Sequence, residues 1–179
     1  MKKIVVYNSK TGFAKRYAEW AAEELGLSAV PYKSFDQSAA YDADLVVFIS
    51  RIQAGKIEQL AGIKKLLGST APERLVVAAV GAAPMTAEET INKYWADNFS
   101  EEEMTKVPHF YMQGGLDYEK MGFGERSILK VVTKVLKNKK DKTDEESVFE
   151  QTLNSSFDNS SRDFIKPLVE YVMGRESQG

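Results

Sequence analysis

Three apolar, mostly β-branched runs, IVVY at 4–7, LVVFIS at 45–50 and LVVAAV at 75–80, are separated by stretches whose apolar residues recur at helical spacing. Unbroken apolarity, rather than alternation with polar residues, marks strands buried on both faces, as in parallel sheets covered by helices. Tyr17, Ala18, Ala21 and Leu25 share one helical face, and Ile57, Leu60, Ile63 and Leu67 share another before Gly68 supplies a stop. Strands alternating with helices favour right-handed crossovers, so the order predicts an α/β chain with an open, doubly wound sheet and helices on both faces.

The remaining elements are fainter. Thr86 followed by Glu89 has the spacing of a capping box for a helix through Tyr94 and Trp95. Residues 29–33 suit an edge strand, because Pro31 cannot donate to a ladder on both sides. Residues 109–112 form a fifth strand candidate, and Phe164, Leu168, Tyr171 and Val172 a last helix, provided Pro167 lies in its first turn. The stretch 137–161 is polar and charged, with Val148, Phe149, Leu153 and Phe157 as its only apolar contacts, and reads as a partly mobile excursion.

Composition removes several functions. At 179 residues and 43% hydrophobic, the chain is long enough for one substantial core and short for two domains. Its formal charge of −2, from 24 basic and 26 acidic residues, provides no global field for nucleic acid or anionic membrane. With no cysteine and one histidine, His109, it lacks disulfides, iron–sulfur ligation, thiol nucleophiles and the usual zinc sets. Any redox chemistry must then come from an organic cofactor. His109, with no paired acid nearby in sequence, reads as structural or surface. The apolar run after Met1-Lys2-Lys3 is too short for a signal-peptide core, and no run of 18 apolar residues follows; a soluble cytoplasmic protein is expected.

In a doubly wound sheet, ligands bind beyond the carboxyl ends of the strands, which singles out residues 8–14, 50–56 and 81–86. In the first, Ser9, Lys10, Thr11, Gly12, Phe13 and Ala14 join a buried strand to a helix. Unpaired amides at the positive end of a helix dipole suit an anion, Ser9 and Thr11 add hydroxyls, and Gly12 permits close approach. A phosphate monoester fits; so does a plain turn whose Ser and Thr only cap the helix. The triphosphate loop closing on Gly-Lys-Ser/Thr is missing, as are the three spaced glycines of a dinucleotide fingerprint. A phosphorelay receiver needs carboxylates where Asn8, Ser9, Ser50 and Arg51 stand. A mononucleotide remains, and flavin mononucleotide (FMN) is the one most associated with this sheet.

The stretch YNSKTGFA resembles the flavodoxin phosphate loop, Ser/Thr-x-Thr-Gly-x-Thr, with Ser9, Thr11 and Gly12 matching and Ala14 in place of the last threonine. SRIQAG, MQGGLDY and GERSILKVVTKVLK further resemble the long-chain group that includes the bacterial menaquinone-dependent protoporphyrinogen dehydrogenases. The resemblance implies a single flavodoxin-like domain over 1–179, a five-stranded parallel sheet in the order 2-1-3-4-5, and a charged insertion at about 114–160. It also implies FMN held by residues 9–14, with Arg51, Ile52, Gln53, Ala54 and Gly55 on one side of the flavin ring and Gly81, Ala82, Ala83 and Pro84 on the other. Gly55, or the Gln53–Ala54 peptide, could turn a carbonyl toward the flavin N5, and Arg51 could face ring or phosphate or lie in solvent. The third loop is also compatible with an ordinary strand-to-helix connection.

No aromatic residue stands in 50–55 to cover the ring; Tyr118 is the nearest substitute, while Trp20 and Trp95 read as core. An open ring face favours chemistry on a second molecule, a quinone or porphyrinogen by the resemblance. A one-electron carrier serving a redox partner protein and a flavin-free interaction scaffold are the alternatives. Finally, Ile128, Val131, Val132, Val135 and Leu136 form an apolar stripe beside Lys130, Lys134, Lys137, Lys139 and Lys140. Such a helix either packs on the sheet or makes, at most, peripheral contact with a membrane or partner.

Overall fold

In the computed structural model, which describes residues 1–175, the apolar runs become the middle of one sheet. The strands are β1 (Lys3–Asn8), β2 (Ala29–Pro31), β3 (Leu45–Gln53), β5 (Leu75–Gly81) and β6 (His109–Gln113), all parallel and ordered β2-β1-β3-β5-β6. This is the flavodoxin-like order expected from the sequence, because β5 and β6 are its fourth and fifth parallel strands. A short β4 (Lys56–Ile57) returns antiparallel on the end of β3.

Side-chain alternation along β3 explains the two layers. Val46 and Phe48 enter a core with Ile63, Leu67 and Trp95, on the face covered by α2 (Gln37–Asp42), α3 (Leu60–Leu67), α4 (Ala71–Arg74), α5 (Glu88–Asn98) and α6 (Glu101–Lys106). Val47 and Ile49 enter another with Tyr17, Ala18, Ala21 and Leu168, under α1 (Phe13–Glu24) and α9 (Lys166–Gly174). All four β3 side chains are fully buried, each adding about 1.5–3 kcal/mol of apolar transfer. Gly68 ends α3 at φ +58°, and Pro167 lies in the first turn of α9, where it interrupts no hydrogen bond. Trp95 is buried, and His109 packs against it and Phe99 while its Nδ1 meets the Val107 carbonyl at 2.8 Å.

Two expectations are corrected. Thr86 and Glu89 form no capping box: Ala87 N–H donates to the Pro84 carbonyl at 3.0 Å, that turn delays α5 until Glu88, and Glu89 instead meets Lys139. The stretch 137–161 is not a loose excursion. It contains the end of α7 (Phe123–Asn138), all of α8 (Asp144–Thr152) and β8 (Phe157–Asp158), which pairs antiparallel with β7 (Gly115–Leu116). Thr143 and Glu146 cap α8 reciprocally at 3.1 Å, Leu153 is fully buried, and Lys139–Glu146 and Lys142–Glu150 ion pairs fasten the charges. Among the described residues, no helix is long and apolar enough to cross a membrane.

Candidate functional site

At the carboxyl ends of β1, β3 and β5 lies a cavity of about 530 Å³. It begins at Thr11, Phe13 and Ala14, runs between residues 51–55 and 81–84, and is walled on its far side by α7 and α8. Of the residues expected at the site, Ser9, Lys10 and Gly12 are outside this lining. Ser9 and Gly12 build the turn instead: Gly12 N–H donates to Ser9 Oγ at 3.2 Å, and Gly12 stands at φ +101°, where a side chain would be strained. A Cβ there would meet nothing within 4 Å, so the turn faces open space. Among the described residues, the amides of Thr11, Phe13, Ala14 and Lys15 have no protein acceptor; the first bond of α1 is from Arg16 N–H to the Gly12 carbonyl at 2.9 Å. The donor set of an anion cradle is therefore present and free.

Residues 51–55 are not a loop. β3 continues through Gln53, pairs Ile52 with Ile57 and Gln53 with Lys56, and turns at Ala54 (φ +50°) and Gly55 (φ +78°). Two consecutive left-handed residues are the geometry of a tight hairpin turn, which at Ala54 costs about 1–2 kcal/mol. The Gly55 carbonyl, one of the two expected to turn toward a flavin, already accepts from Asn98 Nδ2 at 2.7 Å. The same Nδ2 reaches the Tyr94 carbonyl at 2.7 Å, and Asn98 Oδ1 accepts from Ile57 N–H at 2.9 Å. The end of α5 thus clamps the hairpin. Replacing Asn98 by alanine orphans Gly55 O and Ile57 N–H, and is expected to cost about 2 kcal/mol in thermal or denaturant unfolding. An unchanged midpoint would show that the hairpin holds itself.

The opposite wall is fixed by a buried tyrosine. Tyr111 donates its hydroxyl to the Ala83 carbonyl at 2.8 Å, and burial pushes its pKa well up, so it remains a neutral donor. A Cβ on Gly81 would lie 2.8 Å from that hydroxyl, which explains the glycine where β5 ends.

Arg51 is neither solvated nor free for a phosphate. Its side chain is 16% exposed and binds Glu58 twice, Nε to Oε2 at 2.6 Å and Nη2 to Oε1 at 2.9 Å. Nη1 reaches Glu125 Oε1 at 3.1 Å, and Nη2 also meets Gln53. Asn8 Nδ2 donates to Glu58 at 3.1 Å, and the hydroxyl of buried Ser50 to the Glu58 carbonyl at 2.6 Å. Hydrogen bonds from Arg51 hold the Glu58 carboxyl below its ordinary pKa, against burial. Glu125 carries the larger shift: burial raises its pKa, but bonds from Lys10 Nζ and Gly122 N–H, both 2.8 Å, and from Arg51 outweigh it and hold the group at about 2.

Glu58, Glu125, Tyr111 and Asn98 were not legible as site residues; the one local hint was Glu125, three residues after Gly122 at the start of an amphipathic run. Tyr118, the expected aromatic substitute, is not on the cavity; it lies under Arg126, 4.7 Å from ring centroid to guanidinium. Aliphatic side chains of α7 take that wall: Ile128, Leu129, Val132 and Leu136, with Val131 and Val135 at the rim still 63% and 64% exposed.

Together these features define a doubly wound α/β protein with a cavity at the switch point between β1 and β3, where ligands bind in such sheets. Residues 4–143 match the family model described as the flavodoxin domain, and the chain belongs to that family. Solved structures similar to it include a flavodoxin from Streptococcus pneumonia TIGR4, with 15% identity, 59% of this chain and 92% of that chain covered, and a TM-score of 0.39. Another is a flavodoxin from the domain Archaea, with 19% identity, coverage of 75% and 99%, and a TM-score of 0.37. A WrbA-like flavodoxin from Agrobacterium tumefaciens shares 12% identity, with coverage of 86% and 95% and a TM-score of 0.41. No curated protein matches the sequence.

Proposed function

We infer that this chain binds FMN and serves as a flavin-dependent oxidoreductase or electron-transfer protein. The observation that carries the reading is the set of free amides at Thr11, Phe13, Ala14 and Lys15, beside a cavity bounded by two backbone walls, in a chain of the flavodoxin family. Thr11, Phe13, Ala14 and Lys15 would bind the phosphate through N–H groups, with Thr11 adding its hydroxyl. The hairpin at 51–55 and the turn at 81–84 would hold a planar ring by its faces and edges. The cofactor would supply the electron chemistry. The chain's own residues bind it, orient it and exclude water from one side through the α7 aliphatics.

That aliphatic wall supports the finer reading, oxidation of a small apolar molecule of the quinone or porphyrinogen kind, over a carrier that meets only other proteins. The cavity continues past the two backbone walls to Leu136, Phe149 and Leu153, which leaves room for a second apolar ligand. Apoprotein titrated with FMN is expected to bind one equivalent and quench flavin fluorescence. Protein that neither carries nor takes up FMN would remove the proposal. If FMN binds, turnover of protoporphyrinogen with a menaquinone analogue supports the enzyme, and reduction of a cytochrome without such turnover supports the carrier.

A further inference from the structure

One charged contact is out of place for a phosphate site. The loop at 9–14 has a single cation of its own, Lys10, and the partner its ammonium meets, at 2.8 Å, is a carboxylate: Glu125, from the first turn of α7. Lys10 is half exposed, whereas the Glu125 side chain is 10% exposed, lines the cavity and accepts from three donors. Its two oxygens receive Lys10 Nζ, Arg51 Nη1 and the Gly122 amide. A dianionic ester arriving at the amides of 11–15 meets a fixed negative charge on the neighbouring ammonium. Two anions near one cation in a partly dry pocket repel, and the cation serves one at the other's expense. Because Glu125 also anchors the start of α7, whatever displaces it from Lys10 loosens the helix that walls the cavity.

We propose that Glu125 is an internal competitor for the cation of the phosphate loop, so that binding of a phosphate monoester at residues 9–15 and docking of α7 over the cavity are negatively coupled. The proposal rests on the anion-binding reading of that loop. Coupling of this kind is reciprocal: the docked carboxylate lowers affinity for the charged ester, and the ester lowers the hold on α7. An uncharged ligand of the same ring, riboflavin, feels neither effect. Glu125 thus sets how strongly the site discriminates a phosphorylated flavin from its dephosphorylated form.

The test compares FMN and riboflavin on the same proteins. Glu125→Gln keeps an oxygen for the Gly122 amide but removes the charge; it is expected to raise FMN affinity roughly fivefold or more while riboflavin affinity moves less than about twofold. Using the ratio of the two ligands cancels any general loosening of the variant. In a Lys10→Met background the gain from Glu125→Gln should shrink to the part left by direct repulsion between carboxylate and ester. An unchanged or lowered ratio in the single variant, or a gain as large without Lys10 as with it, overturns the proposal.

A second readout needs no flavin. Hydrogen exchange of the unmodified protein is followed with inorganic phosphate added at constant ionic strength. Phosphate should slow exchange at residues 11–15 and speed it at 122–130. Protection of the loop without faster exchange in α7 overturns the coupling, and so does no protection at all, since no anion site then exists for Glu125 to oppose. Phosphate that loosens α7 in a protein unable to take up FMN would leave the coupling standing and remove the FMN assignment.

Discussion

Replacing Gly115 by valine is expected to cost about 3 kcal/mol or more and to lower the melting temperature by roughly 6–12 °C, the largest stability loss among single substitutions around the cavity. A Cβ at this position would run into the backbone carbonyl of Phe157, lie 2.9 Å from Phe13 Cζ and 3.0 Å from Asp158 Cα. Backbone cannot yield as a side-chain tip can, so β7 and β8 must part. That separation would also release Phe13, which packs against Gly114 and Gly115 and borders the cavity, and on the proposed reading flavin affinity should fall with stability. Gly114→Ala is a graded companion: its Cβ meets Val80 Cγ1 at 3.0 Å and Phe13 Cβ at 3.2 Å, contacts that small shifts relieve, so a loss nearer 1 kcal/mol is expected. Gly124→Ala is the control. Nothing lies within 4 Å of its Cβ, and an alanine inside α7 should be neutral or stabilise by up to about 1 kcal/mol. A Gly115→Val protein melting within 2 °C of the parent would show that the two strands are not packed this closely.

The pair Gly114-Gly115 also shows how far the chain could be understood before it was folded. The sheet was legible because its signal is one of burial: Val5, Val47 and Val76 pair side by side and are fully buried, and only a central parallel strand needs unbroken apolarity. The turn at 9–14 was legible as a strand-to-helix junction because its signal is local, a glycine and two hydroxyls between a strand and a helix. The groups around that loop were not, because charge pairing across the fold leaves no period. Arg51 finds Glu58 seven residues away and Glu125 seventy-four residues away, and only the second required the tertiary structure to bring α7 back over the strand ends. The secondary structure within the polar stretch 137–161 was hidden for the same reason. Its lysines and glutamates look like solvated surface until Lys139 meets Glu146, which is almost wholly buried. The hairpin at 51–57 was hidden differently, since Ala54 takes a left-handed conformation that glycine or asparagine would ordinarily signal.

Converting both Ser9 and Thr11 to alanine separates a phosphate cradle from a mere turn. In the folded chain the two hydroxyls do different work. Ser9 Oγ accepts from Gly12 N–H at 3.2 Å and so spends a lone pair on the turn, leaving its proton to donate; Thr11 has no side-chain partner among the described residues and borders the cavity. If both donate to a dianionic ester, each bond is charge-assisted and contributes about 1.5–3 kcal/mol, less what the neighbouring amides recover. The expected result is a loss of FMN affinity of about 30-fold or more, with riboflavin affinity reduced less than about threefold. The small riboflavin effect measures the turn's own dependence on Ser9, and Ser9→Ala alone should reproduce it. Gly12 sharpens the distinction: at φ +101° an alanine strains the backbone that aims the amides, so Gly12→Ala should weaken FMN more than riboflavin while every hydroxyl remains. Equal losses for the two ligands in both variants would mean that the loop shapes the pocket without touching an anion. The amides of Thr11, Phe13, Ala14 and Lys15 would then need another explanation for having no acceptor among the described residues.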